Sequence, residues 1–165
     1  MSEHQARIRW ARGADEKFVD SRYSRAHQWE FDGGVSVPAS SAVSSVRVPY
    51  SKPENVDPEE ALVAAISSCH MLSFLYVAAK EGFVVDRYDD LAIGKMARNE
   101  QGRLAVTTAR LAPRIDFSGA RSPTQADVDR LHHAAHEECF IANSVRTVIT
   151  VECEWKYSES ARPLT

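Results

Sequence analysis

The chain has 165 residues, 44% hydrophobic and 26% charged, with 20 basic residues against 23 acidic ones and a formal charge of -3. That composition excludes collagenous, low-complexity and disordered chains, and the length predicts one domain over 1–165 with a core of its own. The slight acidic balance supplies no phosphate-tracking surface, so no nucleic acid is expected as a partner. Three cysteines are an odd number, which argues against a secreted disulfide framework, and residues 1–7 carry no apolar run of a signal peptide. A soluble, cytoplasmic protein is the expectation.

Strands are predicted through the first fifty residues. Ile8 and Trp10 alternate with Arg7 and Arg9, and His27, Trp29 and Phe31 alternate with Gln28 and Glu30, each the period-two pattern of a half-buried strand. Asp32-Gly33-Gly34 marks a turn, and a third β-prone run is read through Val43, Val46 and Val48 before Pro49 and Pro53 stop it. Asp57-Pro58-Glu59-Glu60 then opens a helix, with Asp57 as cap, Pro58 at the first helical position and Glu60 at capping-box spacing. It is expected to run to about Glu81, where Gly82 can take the left-handed conformation.

A long hairpin follows, Tyr88 to Arg98 and Arg103 to Phe117, joined by residues 99–102. Pro123-Thr124 opens a second helix with Asp127 at capping-box spacing, and Val128, Leu131, Ala134, Ala135 and Cys139 form its inner face. Thr147 to Trp155 alternates as a last strand. The order is β-β-β-α-β-β-α-β, an α+β fold.

Residues 61–79 contain no Asp, Glu, Lys or Arg, and nineteen uncharged residues are long enough to span a bilayer. The middle of that segment holds Ser67, Ser68, Cys69 and His70, and no excess of Lys or Arg flanks it. Those polar groups are costly in hydrocarbon, so a helix buried in protein is expected and no membrane. Being apolar nearly all round, it needs more cover than a single one-sided sheet gives.

Cys69 lies in mid-helix and Cys139 at the end of the second helix, seventy residues on. A lone buried cysteine is ordinarily an inert apolar residue; two at helix positions with polar neighbours also fit a nucleophile and its resolving partner. His132 and His136 share a helix face at i, i+4, a workable pair of zinc ligands beside His133, Glu137 and Cys139. No His-Glu-x-x-His or Cys-x-x-Cys motif accompanies them, so a solvated or locally bonded histidine face is expected and no metal.

Residues 57–69, Asp-Pro-Glu-Glu-Ala-Leu-Val-Ala-Ala-Ile-Ser-Ser-Cys, resemble the first cysteine helix of the OsmC/Ohr family, the osmotically induced and organic hydroperoxide resistance proteins. In that family a Pro-Glu pair opens the helix and the peroxide-reactive cysteine lies ten residues after the glutamate. His136-Glu137-Glu138-Cys139 followed by Asn143-Ser144 is similar to its second signature, which carries the resolving cysteine. The element order also matches.

The resemblance implies a thiol-dependent peroxidase acting on organic hydroperoxides, with Cys69 as nucleophile and Cys139 as resolving thiol. It further implies a dithiol reductant, often a lipoylated protein, and no metal, flavin or haem. A free thiol has a pKa of about 8.5 and the thiolate is the nucleophile, so Cys69 needs a positive neighbour. Three turns into its helix it is beyond the reach of the macrodipole. The family uses an arginine held by the helix-start glutamate. Glu59 matches that glutamate; Arg25 is the first choice for the arginine and Arg47 the second.

Ten residues of ideal helix put Glu59 and Cys69 about 15 Å apart along the axis and about 80° apart around it, too far to share one guanidinium. Either the helix breaks near its start or Glu59 serves a partner subunit. An intertwined homodimer with Cys69 near the interface is therefore expected. The chain departs from the family pattern at Phe140, where Pro often follows the resolving cysteine, and at His70, where many relatives are apolar or aromatic. Phe74, Phe140, Met71 and Trp29 are read as core packing first and as walls of an apolar substrate pocket second. Cys153 is read as a packed spectator. A redox sensor or hydroperoxide-binding protein without efficient turnover keeps the same two signatures and is the alternative.

Overall fold

The computed structural model describes residues 2–159, in two compact units that divide between Ala61 and Leu62. The class is α+β, as expected.

In the first unit β1 (Ala6–Arg9), β2 (His27–Phe31) and β3 (Ser36–Ala39) make an antiparallel sheet in the order β1-β2-β3. Trp29 at its centre pairs with Ile8 on one side and Val37 on the other. The turn at Asp32-Gly33-Gly34 is where the sequence places it, and Gly34 holds φ +84°, a backbone state that glycine enters without steric cost. The third strand is not where the valines are. Residues 43–48 are turns and bends, while Ser36-Val37-Pro38-Ala39 pairs along the sheet edge. Proline donates no ladder hydrogen bond and is tolerated there because β3 is an edge strand, its outer side met by an isolated bridge at Val56, whose amide donates to the Pro38 carbonyl.

The helix α1 (Pro58–Lys80) starts on the expected cap. Asp57 Oδ1 accepts from the Glu60 amide at 2.8 Å, and Glu60 Oε2 accepts from the Asp57 amide at 3.1 Å. At its far end Gly82 adopts φ +80°, its amide donates to the Ala79 carbonyl, and the Phe83 amide donates to the Ala78 carbonyl. That is a Schellman ending, sealed by Phe83 entering the same apolar cluster as Ala78. No break interrupts α1, which removes the first of the two options for Glu59.

In the second unit the long strands are each divided. β4 (Val84–Asp90) and β5 (Ile93–Arg98) belong to different sheets, as do β6 (Leu104–Leu111) and β7 (Pro113–Ser118), and β8 (Val148–Val151) and β9 (Glu154–Tyr157). The sheets run β4-β7-β9 and β5-β6-β8, with β6 parallel to β8 and β7 parallel to β9. Each chain crosses from one sheet to the other within two residues. Asp90 satisfies one such crossing by accepting from the Ala112 amide at 2.7 Å, and it also accepts from the Ser67 hydroxyl of α1 at 2.5 Å.

Helix α2 (Gln125–Glu138) carries the expected capping box between Thr124 and Asp127. Its buried positions Val128, Leu131, His132 and Ala135 follow the i, i+3, i+4, i+7 spacing of one helix face. Two apolar clusters result. Phe74, Val77 and Ala78 of α1 meet Val128, Leu131 and Ala135 of α2 over Ile115 and Phe117 of β7. Ile66 meets Ala109 and Leu111 of β6. Gly94 permits a close approach of β5 to α1, since a side chain there would run into Val63. By length and composition α1 is able to cross a membrane, yet its residues Ile66, His70, Phe74, Val77 and Ala78 are buried within protein.

Candidate functional site

The buried stripe of α1 runs Ile66, His70, Phe74, Val77, Ala78, and Cys69 lies on its flank, half-buried. The stripe of α2 extends three and four residues at a time to Cys139, which caps that helix and is wholly buried. With the two stripes packed in one core, Cys69 is a near neighbour of Cys139. Cys69 is close enough to raise the Cys139 thiol, and both are free thiols.

The environment of Cys139 sets its acidity. Burial pushes its thiol above the ordinary value, the amides of Ala142 and Ile141 partly oppose this, and Cys69 beside it adds to the rise. The Ala142 amide lies 3.4 Å from its Sγ, and the Asn143 amide donates to its carbonyl at 3.0 Å. Burial keeps this thiol protonated, and the turn after α2, a 3-10 segment over Ala142–Ser144, holds it in place.

Beneath the sulfurs lies a pair that the sequence reading missed. His70 Nε2 and His132 Nδ1 are 3.0 Å apart, with rings 7° from parallel, and His132 also packs on Phe74 at 4.4 Å between ring centres. Burial pushes His70 down to about 4, with His136 adding to the fall and Asp90 opposing it. Burial and then His70 push His132 down to about 4, against Asp129. Both rings are therefore neutral, and one donates to the other. Whichever does so, His70 Nδ1 and His132 Nε2 are left buried without a partner, one a bare acceptor and the other an N–H. Each such group costs about 1–3 kcal/mol.

Of the expected solvated or locally bonded histidine face, His133 and His136 are exposed and His133 pairs with Glu137 at 3.4 Å, whereas His132 is buried and bonded to His70 of α1. Among the described residues no three His, Cys, Asp or Glu side chains gather as a metal ion requires. The signal that could have found the pair was periodicity. His70 lies four residues from both Ile66 and Phe74, and His132 four from Val128, so each occupies an apolar stripe.

The remaining site residues lie in the first unit. Arg25 is half-buried, with its guanidinium 3.6 Å above the Tyr23 ring, and its Nη1 donates to the Ser21 carbonyl at 2.9 Å and to that of Tyr23. It borders a cavity of about 450 Å³ with Ile8, Trp10, Phe18 and Tyr23 among its walls. Glu59 is half-buried in the first turn of α1. Glu60, not Glu59, closes the cap, and among the described residues Glu59 forms no ion pair with Arg25. Arg47 is exposed.

Of the residues read as apolar lining, Phe74 is core, whereas Phe140 is 80% exposed. Cys153 opens on a different cavity, about 570 Å³, where Arg110 and Arg114 are already matched by Glu152 and Glu154 at 3.2 and 3.4 Å. Burial, then Asp129 and Glu154, push its thiol up to about 12, so it offers no thiolate near neutral pH.

The family model described as OsmC-like protein matches residues 51–154, the stretch holding both cysteines and both helices. This chain belongs to the OsmC family. An OsmC-like protein of unknown function from Vibrio cholerae is 51% identical to this OsmC-family chain, covering 93% of it and 100% of the relative, with a TM-score of 0.90. An organic hydroperoxide resistance protein from Elizabethkingia anophelis shares the fold at 14% identity, TM-score 0.65, over 96% of this chain and 98% of that one. The organic hydroperoxide resistance protein OhrB of Bacillus subtilis does so at 16% identity, TM-score 0.59, over 94% and 98%. No curated protein sequence matches the chain.

Proposed function

We propose that this OsmC-family protein is a thiol peroxidase that reduces organic hydroperoxides to alcohols. The observation that carries the reading is the proximity of Cys69 to Cys139, seventy residues apart in the chain. The half-buried Cys69 is the one of the two open to a substrate; the wholly buried Cys139 is open only to its neighbour.

The Cys69 thiolate attacks the distal oxygen of the hydroperoxide, the O–O bond breaks, and the alkoxide leaves as alcohol with a proton from the site. Cys69 is left as a sulfenic acid. The Cys139 sulfur then attacks the Cys69 sulfur; the S–S bond forms, the S–O bond breaks, and hydroxide departs as water with the Cys139 proton. A dithiol reductant, such as a lipoylated protein, supplies two electrons and two protons to restore both thiols and itself becomes a disulfide. Arg25 stabilises the Cys69 thiolate and Glu59 orients Arg25, as the family resemblance implies.

An unbroken α1, and a Glu59 whose side chain has no hydrogen bond or ion pair among the described residues, support an assembly in which that glutamate serves the partner's site. A homodimer also covers Leu72 and Tyr76, which α1 leaves 63% and 62% exposed. The same reading makes the chain one working domain in the cytoplasm, where free thiols persist. Steady-state consumption of cumene hydroperoxide with dihydrolipoamide tests it. Many turnovers per subunit are expected; consumption that stops at one equivalent indicates a sensor, and none at all overturns the assignment.

A further inference from the structure

We propose that the buried His70–His132 pair is the positioning element of the dithiol, a polar pin between α1 and α2 that sets the register at which Cys139 meets Cys69. The inference rests on reading these two thiols as a redox pair. The apolar contacts between the helices, Phe74, Val77 and Ala78 against Val128, Leu131 and Ala135, are non-directional. A slide of one helix along the other still buries them. A hydrogen bond of 3.0 Å between near-parallel rings does not survive such a slide.

The pair is placed to matter for the sulfurs. His70 adjoins Cys69 in the chain, and His132 precedes Cys139 by seven residues, two turns on the same helix face. A slip of one turn moves a side chain by about 5.4 Å, whereas an S–S bond requires approach to about 2.0 Å. The nearest other polar tie, Arg130 to Glu81, lies exposed beyond the end of α1. The pair is also a poor choice for stability alone, because two ring nitrogens are left buried without partners where an aliphatic pair of similar volume leaves none. What it adds is direction.

The atoms used define the test. The bond joins Nε2 of His70 to Nδ1 of His132. A glutamine amide reaches the Nε2 position of a histidine and an asparagine amide the Nδ1 position, so His70→Gln and His132→Asn keep the bond. His70→Asn and His132→Leu break it. Each full-length protein is equilibrated with mixtures of reduced and oxidised dithiothreitol, and the Cys69–Cys139 disulfide is quantified by mass spectrometry, with urea unfolding in parallel. In that exchange the protein dithiol loses two electrons and two protons to oxidised dithiothreitol.

The bond-breaking variants should need an oxidised-to-reduced ratio at least about tenfold higher for half-conversion, and the bond-keeping variants should stay within about threefold of the parent. Stability alone does not produce that pattern. Should His132→Leu fail to fold, the His70→Gln and His70→Asn comparison decides. The pin is overturned if His70→Asn or a folded His132→Leu closes its disulfide as readily as the parent. It is equally overturned if the bond-keeping variants do no better, or if the parent never forms the link. No hydroperoxide enters this equilibrium, so a parent that closes in dithiothreitol but never after hydroperoxide overturns the peroxidase reading alone.

Discussion

Cys69 is half-buried, whereas Cys139 is wholly buried with its thiol pushed up by burial, and the proposed roles rest on that difference in access. Cys69→Ser should abolish peroxide consumption, whereas Cys139→Ser should still form the sulfenic acid and then overoxidise to sulfinic acid, read by dimedone capture and intact mass. Normal consumption by Cys69→Ser contradicts the assignment. The histidine pair predicts an acid weakness. Native His70 and His132 hold near 4 against 6.5 in the unfolded chain, so below 6.5 the unfolded state takes up protons that the folded state refuses. Stability is full above 6.5 and is lost as pH falls toward 4, with His136 and Asp90 facing His70, and Asp129 facing His132. The urea midpoint should fall from about pH 7 to about pH 5, and less so in His70→Leu/His132→Leu. An equal fall in both proteins contradicts this. At this scale the two cysteines were legible because each belongs to a motif of several residues. The histidine pair was not, because a contact between two helices leaves no spacing in either one; only its place in two apolar stripes was visible.

Helix ends were the most legible elements, since a cap is a local bargain between neighbours in sequence. Thr124 accepts from the Asp127 amide, and Thr124→Ala should cost about 1 kcal/mol in urea unfolding. Gly82 has open space around its Cα, yet its φ of +80° strains any side chain, so Gly82→Ala should cost about 1 kcal/mol as well. No loss in either variant contradicts the cap geometry described. Strands were legible in existence but not in extent. Pro38 disguised β3, because proline reads as a strand breaker unless the strand is known to be an edge. The passage of each long strand into a second sheet, at residues 91–92, 112 and 152–153, leaves the alternation of side chains undisturbed. Only partner choice changes there, and partner choice is a long-range fact.

At the scale of the whole molecule, α1 reads in sequence as too apolar for its own chain to cover, and Leu72 and Tyr76 stand open on it. Leu72→Glu should weaken a homodimer by at least about tenfold in sedimentation equilibrium and lower peroxidase activity with it, since a charge in an apolar contact has no partner there. A parent protein that sediments as a stable monomer with full activity contradicts that assembly. The central claim is narrower: two thiols that meet in the fold exchange their hydrogens for a bond when hydroperoxide arrives. Purified protein treated with one equivalent of cumene hydroperoxide, digested without reduction and mapped by mass spectrometry, tests it most directly. A Cys69–Cys139 disulfide within one subunit is the result predicted; intact thiols, or a link through Cys153, would contradict it.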